Sequence, residues 1–102
     1  MSSKISRRPT HPGAILREDT LPAVGLNRVE FAQTLGVSTR TVSQLLNERS
    51  KLTVDLANRI GLALGMSPEV WLRMQQAVDL YDLRLRHANE YGRIHRIGPV
   101  SV

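Results

Sequence analysis

The chain has 102 residues, 41% of them hydrophobic and four of them aromatic, which suits a single core built from Leu, Val, Ile, Ala and Met. It has no cysteine, which excludes a disulfide framework, a thiolate zinc site and a cysteine nucleophile. The net charge of +5 modestly favours a polyanionic partner, and with no membrane-spanning run and no apolar stretch after the basic start, a cytoplasmic protein without a membrane partner is expected.

Residues 1–10 carry Lys4, Arg7 and Arg8 and no acid. They read as a flexible basic arm, or equally as a disordered tail without a role. From His11 onward short helices alternate with sharp stops. Pro12 suits a first helical turn, because its missing N–H would be unpaired there anyway, and Pro22 and Gly25 are expected to end that helix. Asn27, with Glu30 three residues on, makes a capping-box pattern ahead of Phe31, Ala32 and Leu35, and Gly36 stops the second helix. Ser38 caps a third helix carrying Val42, Leu45 and Leu46. Thr53 caps a fourth carrying Leu56, Ala57, Ile60, Ala63 and Leu64. Ser67-Pro68-Glu69 opens a fifth as cap, proline and first-turn acid.

The fifth helix bears a long apolar stripe of Trp71, Met74, Val78, Tyr81 and Leu85. Trp71 and Met74 are expected to finish the domain's own core, and Met66 to fill it. Val78, Tyr81 and Leu85 are expected to meet a second copy, with Leu80 and Leu83 as additions. The alternative is that the whole stripe seals the chain's own core. Asp79 and Asp82 beside it read as a solvated edge. Gly92, Gly98 and Pro99 argue for an irregular tail over 89–102. No segment alternates like a strand, so the expected architecture is all-α, a compact five-helix bundle over 11–88 with a long last helix.

Residues 28–47 carry the informative pattern, two short helices joined by a tight turn at Gly36-Val37-Ser38. The logic is that of a helix-turn-helix. Ala32 is small where the helices cross, Gly36 supplies the turn geometry, and Val37 plugs the turn into the core. Val42 and Leu46 anchor the second helix from beneath. Its other face presents Thr39, Arg40, Thr41, Ser43, Gln44 and Asn47, all capable of hydrogen bonds and none acidic. Arg suits guanine, Gln suits adenine and Thr suits the thymine methyl, so these six are the expected base contacts in a major groove. Asn27, Arg28, Ser38, Arg49 and Lys51 flank the two helices and are the expected phosphate contacts. Taken singly, each also fits an ordinary exposed polar residue.

The stretch FAQTLGVSTRTVSQLLN resembles the helix-turn-helix of the Cro and phage-repressor-like family. The opening HPGAIL, the segment LTVDLA followed by Arg59-Ile60, the segment ALGMSPEVWL and the final YDL resemble one branch of it, the HigA-type antitoxins. The resemblance runs over about residues 11–86. It implies a lambda-repressor-like five-helix domain that dimerises, binds a palindromic operator and represses its own operon. It also implies a protein partner, an mRNA-cleaving RelE-like toxin. Ala14 departs from the branch, which often has Glu there, and the two termini lie outside the shared pattern.

No catalytic constellation is present, so an enzyme is not expected, and no cofactor is implied. His11 reads as a packing or capping residue at a helix start. His87 and His95 are too isolated to suggest a metal site. A stand-alone phage-like regulator without a toxin is the alternative, and an adjacent toxin gene would separate the two.

Overall fold

The computed structural model describes residues 7–98, which fold into helices joined by short turns. Lys4 of the expected arm and the last four residues of the expected tail lie outside the described residues. The first helix is one continuous run of three parts: α1 (Pro12–Ile15), a π-helical segment (Leu16–Thr20) and α2 (Leu21–Val24). There follow α3 (Arg28–Leu35), α4 (Thr39–Leu46), α5 (Val54–Leu64), α6 (Pro68–Arg86) and a single turn, α7 (Ala88–Tyr91). The five expected helices are all present.

Pro22 does not end the first helix. It has no N–H to donate to the carbonyl four residues back, and its ring would crowd that carbonyl. The helix widens instead, and Leu21 N–H reaches back to Leu16 O in a π-type bond. Helicity resumes over Leu21–Val24, and Gly25 stops it at φ 73°. The tail is a second correction, since its first residues, to Tyr91, are helical and, among the described residues, only 92–98 follow an irregular path.

Caps fix the other boundaries. Asn27 and Glu30 form a reciprocal capping box, Glu30 N–H to Asn27 Oδ1 at 2.8 Å and Asn27 N–H to Glu30 Oε1 at 2.9 Å. Thr53 accepts from Leu56 N–H at 3.1 Å, and Ser67 caps α6 ahead of Pro68. At 19 residues, α6 runs about 28 Å at the usual helical rise.

The core gathers Leu16, Phe31, Val42, Leu45, Ile60 and Trp71 among others, drawing on the first helix and on α3 to α6. α4 lies between α3 and α1, and α6 packs along α5. Two expectations about apolar residues fail. Met66 is 41% exposed, since it follows the Gly65 stop and leaves the core side of α5. Val78, expected at a dimer interface, is only 2% exposed within its own chain. It lies beside Arg8, His11 and Gln75, so the start of the chain folds over it. A side chain already covered has almost no surface left to bury against a second copy.

His11 is 5% exposed, and its Nδ1 accepts the Gly13 N–H at 2.9 Å as the cap of α1. Burial pushes its pKa below the ordinary imidazole value, with Glu48 acting against that and Arg8 with it. The unfolded chain therefore takes up this proton first as the pH falls. The stability from neutral His11 is complete above the ordinary imidazole range and is lost as the pH drops through it towards the lowered folded value. Denaturant titrations from pH 8 to pH 5 should show a stability loss in the wild type that is smaller in His11→Asn, which keeps a capping acceptor without a titrating ring. Parallel curves for the two proteins would assign the pH dependence to other groups.

Candidate nucleic-acid interface

The turn between α3 and α4 is closed as the sequence suggested. Gly36 sits at φ 73°, a left-handed backbone that a side chain would strain, and Val37 packs against the core. Ser38 Oγ accepts from Thr41 N–H at 3.1 Å and bonds the Thr41 hydroxyl at 2.8 Å. The inward face of α4 is buried through Val42, Leu45 and Leu46. The opposite face carries the other expected base contacts. Thr39 and Arg40 are exposed, while Thr41, Ser43 and Gln44 are half-buried. Asn47 is exposed but stands just past the last turn, where its Oδ1 accepts from Arg28 Nη1 at 3.1 Å. The Thr41 hydroxyl is turned back onto Ser38, which leaves its methyl as the outward group.

The end of α4 is held by three devices. Glu48 N–H bonds Leu45 O and Arg49 N–H bonds Gln44 O, the paired closure of a Schellman motif. Glu48 occupies its left-handed position at φ 61°, where Gly is the usual residue. Its carboxylate lies 3.3 Å from Arg17 Nη1 and 3.9 Å from Arg8 Nη1. Arg17 Nη1 also donates to Leu46 O at 2.5 Å, so the first helix supplies a cationic cap to α4. Arg59 does the same for α3, donating to Leu35 O at 2.8 Å while Asp55 holds its Nε at 2.8 Å. Each helix of the motif therefore ends on a guanidinium from a neighbouring helix.

The flanks are less uniform than expected. Asn27 and Ser38 serve as helix caps, and Arg28 is half-buried at the first turn of α3. Arg49 is exposed and makes no ion pair among the described residues. Lys51 Nζ lies 3.7 Å from Asp79, so a phosphate there would compete with a carboxylate. Asp79 and Asp82 are not a merely solvated edge. Gln75 Nε2 donates to Asp79 at 2.9 Å, and Arg8 binds Asp82 through two bonds of 2.9 and 2.8 Å. Those Arg8 bonds hold the Asp82 carboxyl below the usual carboxylate range. The arm residue Arg8 is thus tied to α6.

Sequence reasoning missed Arg17, Arg59, Glu48 and Gln75. Gln75 is buried, and its Oε1 accepts from Leu52 N–H at 2.8 Å, bracing the loop after α4 against α6. Arg59 and Gln75 left a local signal, each spaced four along its helix from a carboxylate, Asp55 and Asp79. Of the expected interface between copies, Tyr81 is half-buried and Leu85 is 67% exposed; both line a groove with Leu80, Arg84, Arg7 and Pro9. His87 Nδ1 contacts the Glu90 carboxylate, and no group of metal-ligating side chains occurs among the described residues. Among these residues no helix is long and apolar enough to cross a membrane.

A family profile described as Helix-turn-helix matches residues 16–71. Fold and exposed face together define a DNA-binding helix-turn-helix protein. The chain is 40% identical to Antitoxin HigA-1 of Vibrio cholerae over 87 residues, covering 85% of this chain and 82% of that protein. It is 36% identical to the uncharacterized transcriptional regulator YbaQ of Escherichia coli, over 90% of this chain and 83% of that one. Among solved structures it is similar to antitoxin GraA in complex with its operator, with a TM-score of 0.83 and 38% identity over 91% of this chain and 95% of that one. It is also similar to the Pseudomonas aeruginosa antitoxin HigA with higBA promoter, at TM-score 0.84 and 27% identity over 89% of this chain and all of that one. The chain belongs to the HigA-type antitoxins of this helix-turn-helix family.

Proposed function

We propose that the protein is a cytoplasmic, homodimeric repressor of its own operon and the antitoxin to an mRNA-cleaving, RelE-like toxin. The observation that carries the DNA reading is the acid-free outward face of α4, held at both ends by caps. In this reading Thr39, Arg40, Thr41, Ser43, Gln44 and Asn47 meet bases, and Asn27, Arg28, Ser38, Arg49 and Lys51 meet phosphates. The relatives bound to an operator or promoter support it. The unit is residues 11–88, with 1–10 as a basic arm and 89–102 as a tail. A stand-alone regulator is the second reading, favoured by the likeness to YbaQ. Co-expression with the product of the adjacent gene separates them. The antitoxin should form a stable complex with it and restore growth, and the stand-alone regulator should do neither.

A palindromic site needs a two-fold protein with recognition helices about 34 Å apart. Tyr81 and Leu85 remain the proposed contacts between copies, with the expected additions Leu80 and Leu83, both exposed, and without buried Val78. Leu85→Asp should give a folded monomer by light scattering. Operator affinity should fall about tenfold or more, because an unpaired carboxylate at an interface loses its hydration. A Leu85→Asp protein that stays dimeric would move the contact off this end of α6.

A further inference from the structure

Arg28 opens α3 and Asn47 follows the last residue of α4, 19 positions apart. The two side chains meet, with Arg28 Nη1 donating to Asn47 Oδ1 at 3.1 Å. A guanidinium only donates, so the bond decides how the carboxamide is turned: oxygen towards Arg28, NH2 away from it. The NH2 group has no hydrogen-bond partner among the described residues, and no carboxylate pairs with Arg28 there. One of the five guanidinium N–H groups is engaged and four remain. The two helix ends are fixed independently, α3 by the Asn27–Glu30 capping box and α4 by Arg17 on Leu46 O. The pair therefore presents a preset cluster of donors with one positive charge and no outward acceptor.

We propose that Arg28 and Asn47 form a single clamp for a DNA backbone phosphate, in which Arg28 also positions Asn47, and that Asn47 does not read a base. This rests on the DNA-binding reading above and revises the place of Asn47 within it. Reading adenine takes a carboxamide whose oxygen and nitrogen both face the base edge. Here the oxygen is held by the guanidinium, and a phosphate oxygen, which only accepts, matches what is left. Guanine also offers acceptors, but base edges are met by the N-terminal part of a recognition helix, and Asn47 stands at the other end.

The probes are a duplex carrying the site that wild-type protein enriches from a randomised library, and a scrambled duplex. Asn47→Ala should weaken both by a similar factor, about tenfold or less for one hydrogen bond, with unchanged base preference. Arg28→Ala should weaken both and lower the salt slope by about one. The double variant should lose less than the product of the two single factors, because removing Arg28 already releases Asn47. Asn47→Asp, which keeps an acceptor for Arg28 but turns a carboxylate oxygen outward, should lose more than Asn47→Ala. A preference lost at one base position in Asn47→Ala, or single effects that simply multiply, overturns the clamp. Unchanged thermal unfolding of each variant separates these outcomes from loss of fold. Failure of the wild type to enrich any site would overturn the DNA-binding reading instead.

Discussion

Arg40→Ala and Gln44→Ala should each weaken binding to the cognate operator by about 1–3 kcal/mol and relax base preference where that side chain points. Both lie on α4, whose buried face is packed and whose two ends are capped, so truncating an outward side chain leaves the scaffold in place. The expected loss is one of contact and should leave thermal stability almost unchanged. The two residues differ in a second measurement. Arg40 carries a charge, so its removal should also reduce the salt dependence of binding, whereas removal of neutral Gln44 should not. Replacing Thr41 should do less to hydrogen-bonded readout, since its hydroxyl is already on Ser38. Selection from a randomised library with each variant checks this directly. Wild-type affinity and preference in both Arg40→Ala and Gln44→Ala would show that α4 is not the reading helix.

Gly13→Ala should destabilise the fold by about 3 kcal/mol, at the upper end of the usual range for overpacking. A Cβ at Gly13 would lie 1.9 Å from Leu45 O and 2.9 Å from Leu45 C, both backbone atoms of α4. No rotamer change relieves a backbone contact, so α1 must move away from α4. Intrinsic helix propensity works the other way, favouring Ala over Gly by about 1 kcal/mol, and it should lose. The displacement also strains the caps that depend on this approach, His11 on Gly13 N–H and Arg17 on Leu46 O. Operator binding should therefore fall along with the denaturation midpoint. Ala23→Ser, on the exposed side of the same helix, serves as the control and should have little effect. Wild-type stability in Gly13→Ala would mean that α1 and α4 do not approach as closely as described.

Much of this protein is decided by local rules. Asn27 with Glu30, Ser38, Thr53 and Ser67-Pro68 set helix starts through bonds within three residues, and Gly36 and Gly65 set stops through backbone freedom. Those signals, with the spacing of Val42, Leu45 and Leu46, also determine which side of α4 faces out. The sequence by itself therefore determined the helix order, the motif and which side chains of α4 are turned outward. Tertiary structure decided what lies opposite each face. Val78 shares a stripe with Tyr81 and Leu85, and helical periodicity cannot tell whether such a stripe meets its own chain or another. Val78 lies beside Arg8 and His11 and is buried, whereas Leu85 stays 67% exposed on the wall of an open groove shared with Arg7 and Pro9, so one is core and the other surface. The same holds for charge. Arg8 with Asp82, Arg17 with Leu46 O and Gln75 with Leu52 N–H join groups 23 to 74 positions apart, and such pairs exist only once the helices have packed. Pro22 shows the rule in reverse. Locally it is a stop, but the helix around it is held by Leu16 and Leu21 in the core, and the backbone widens into a π turn while that packing is kept.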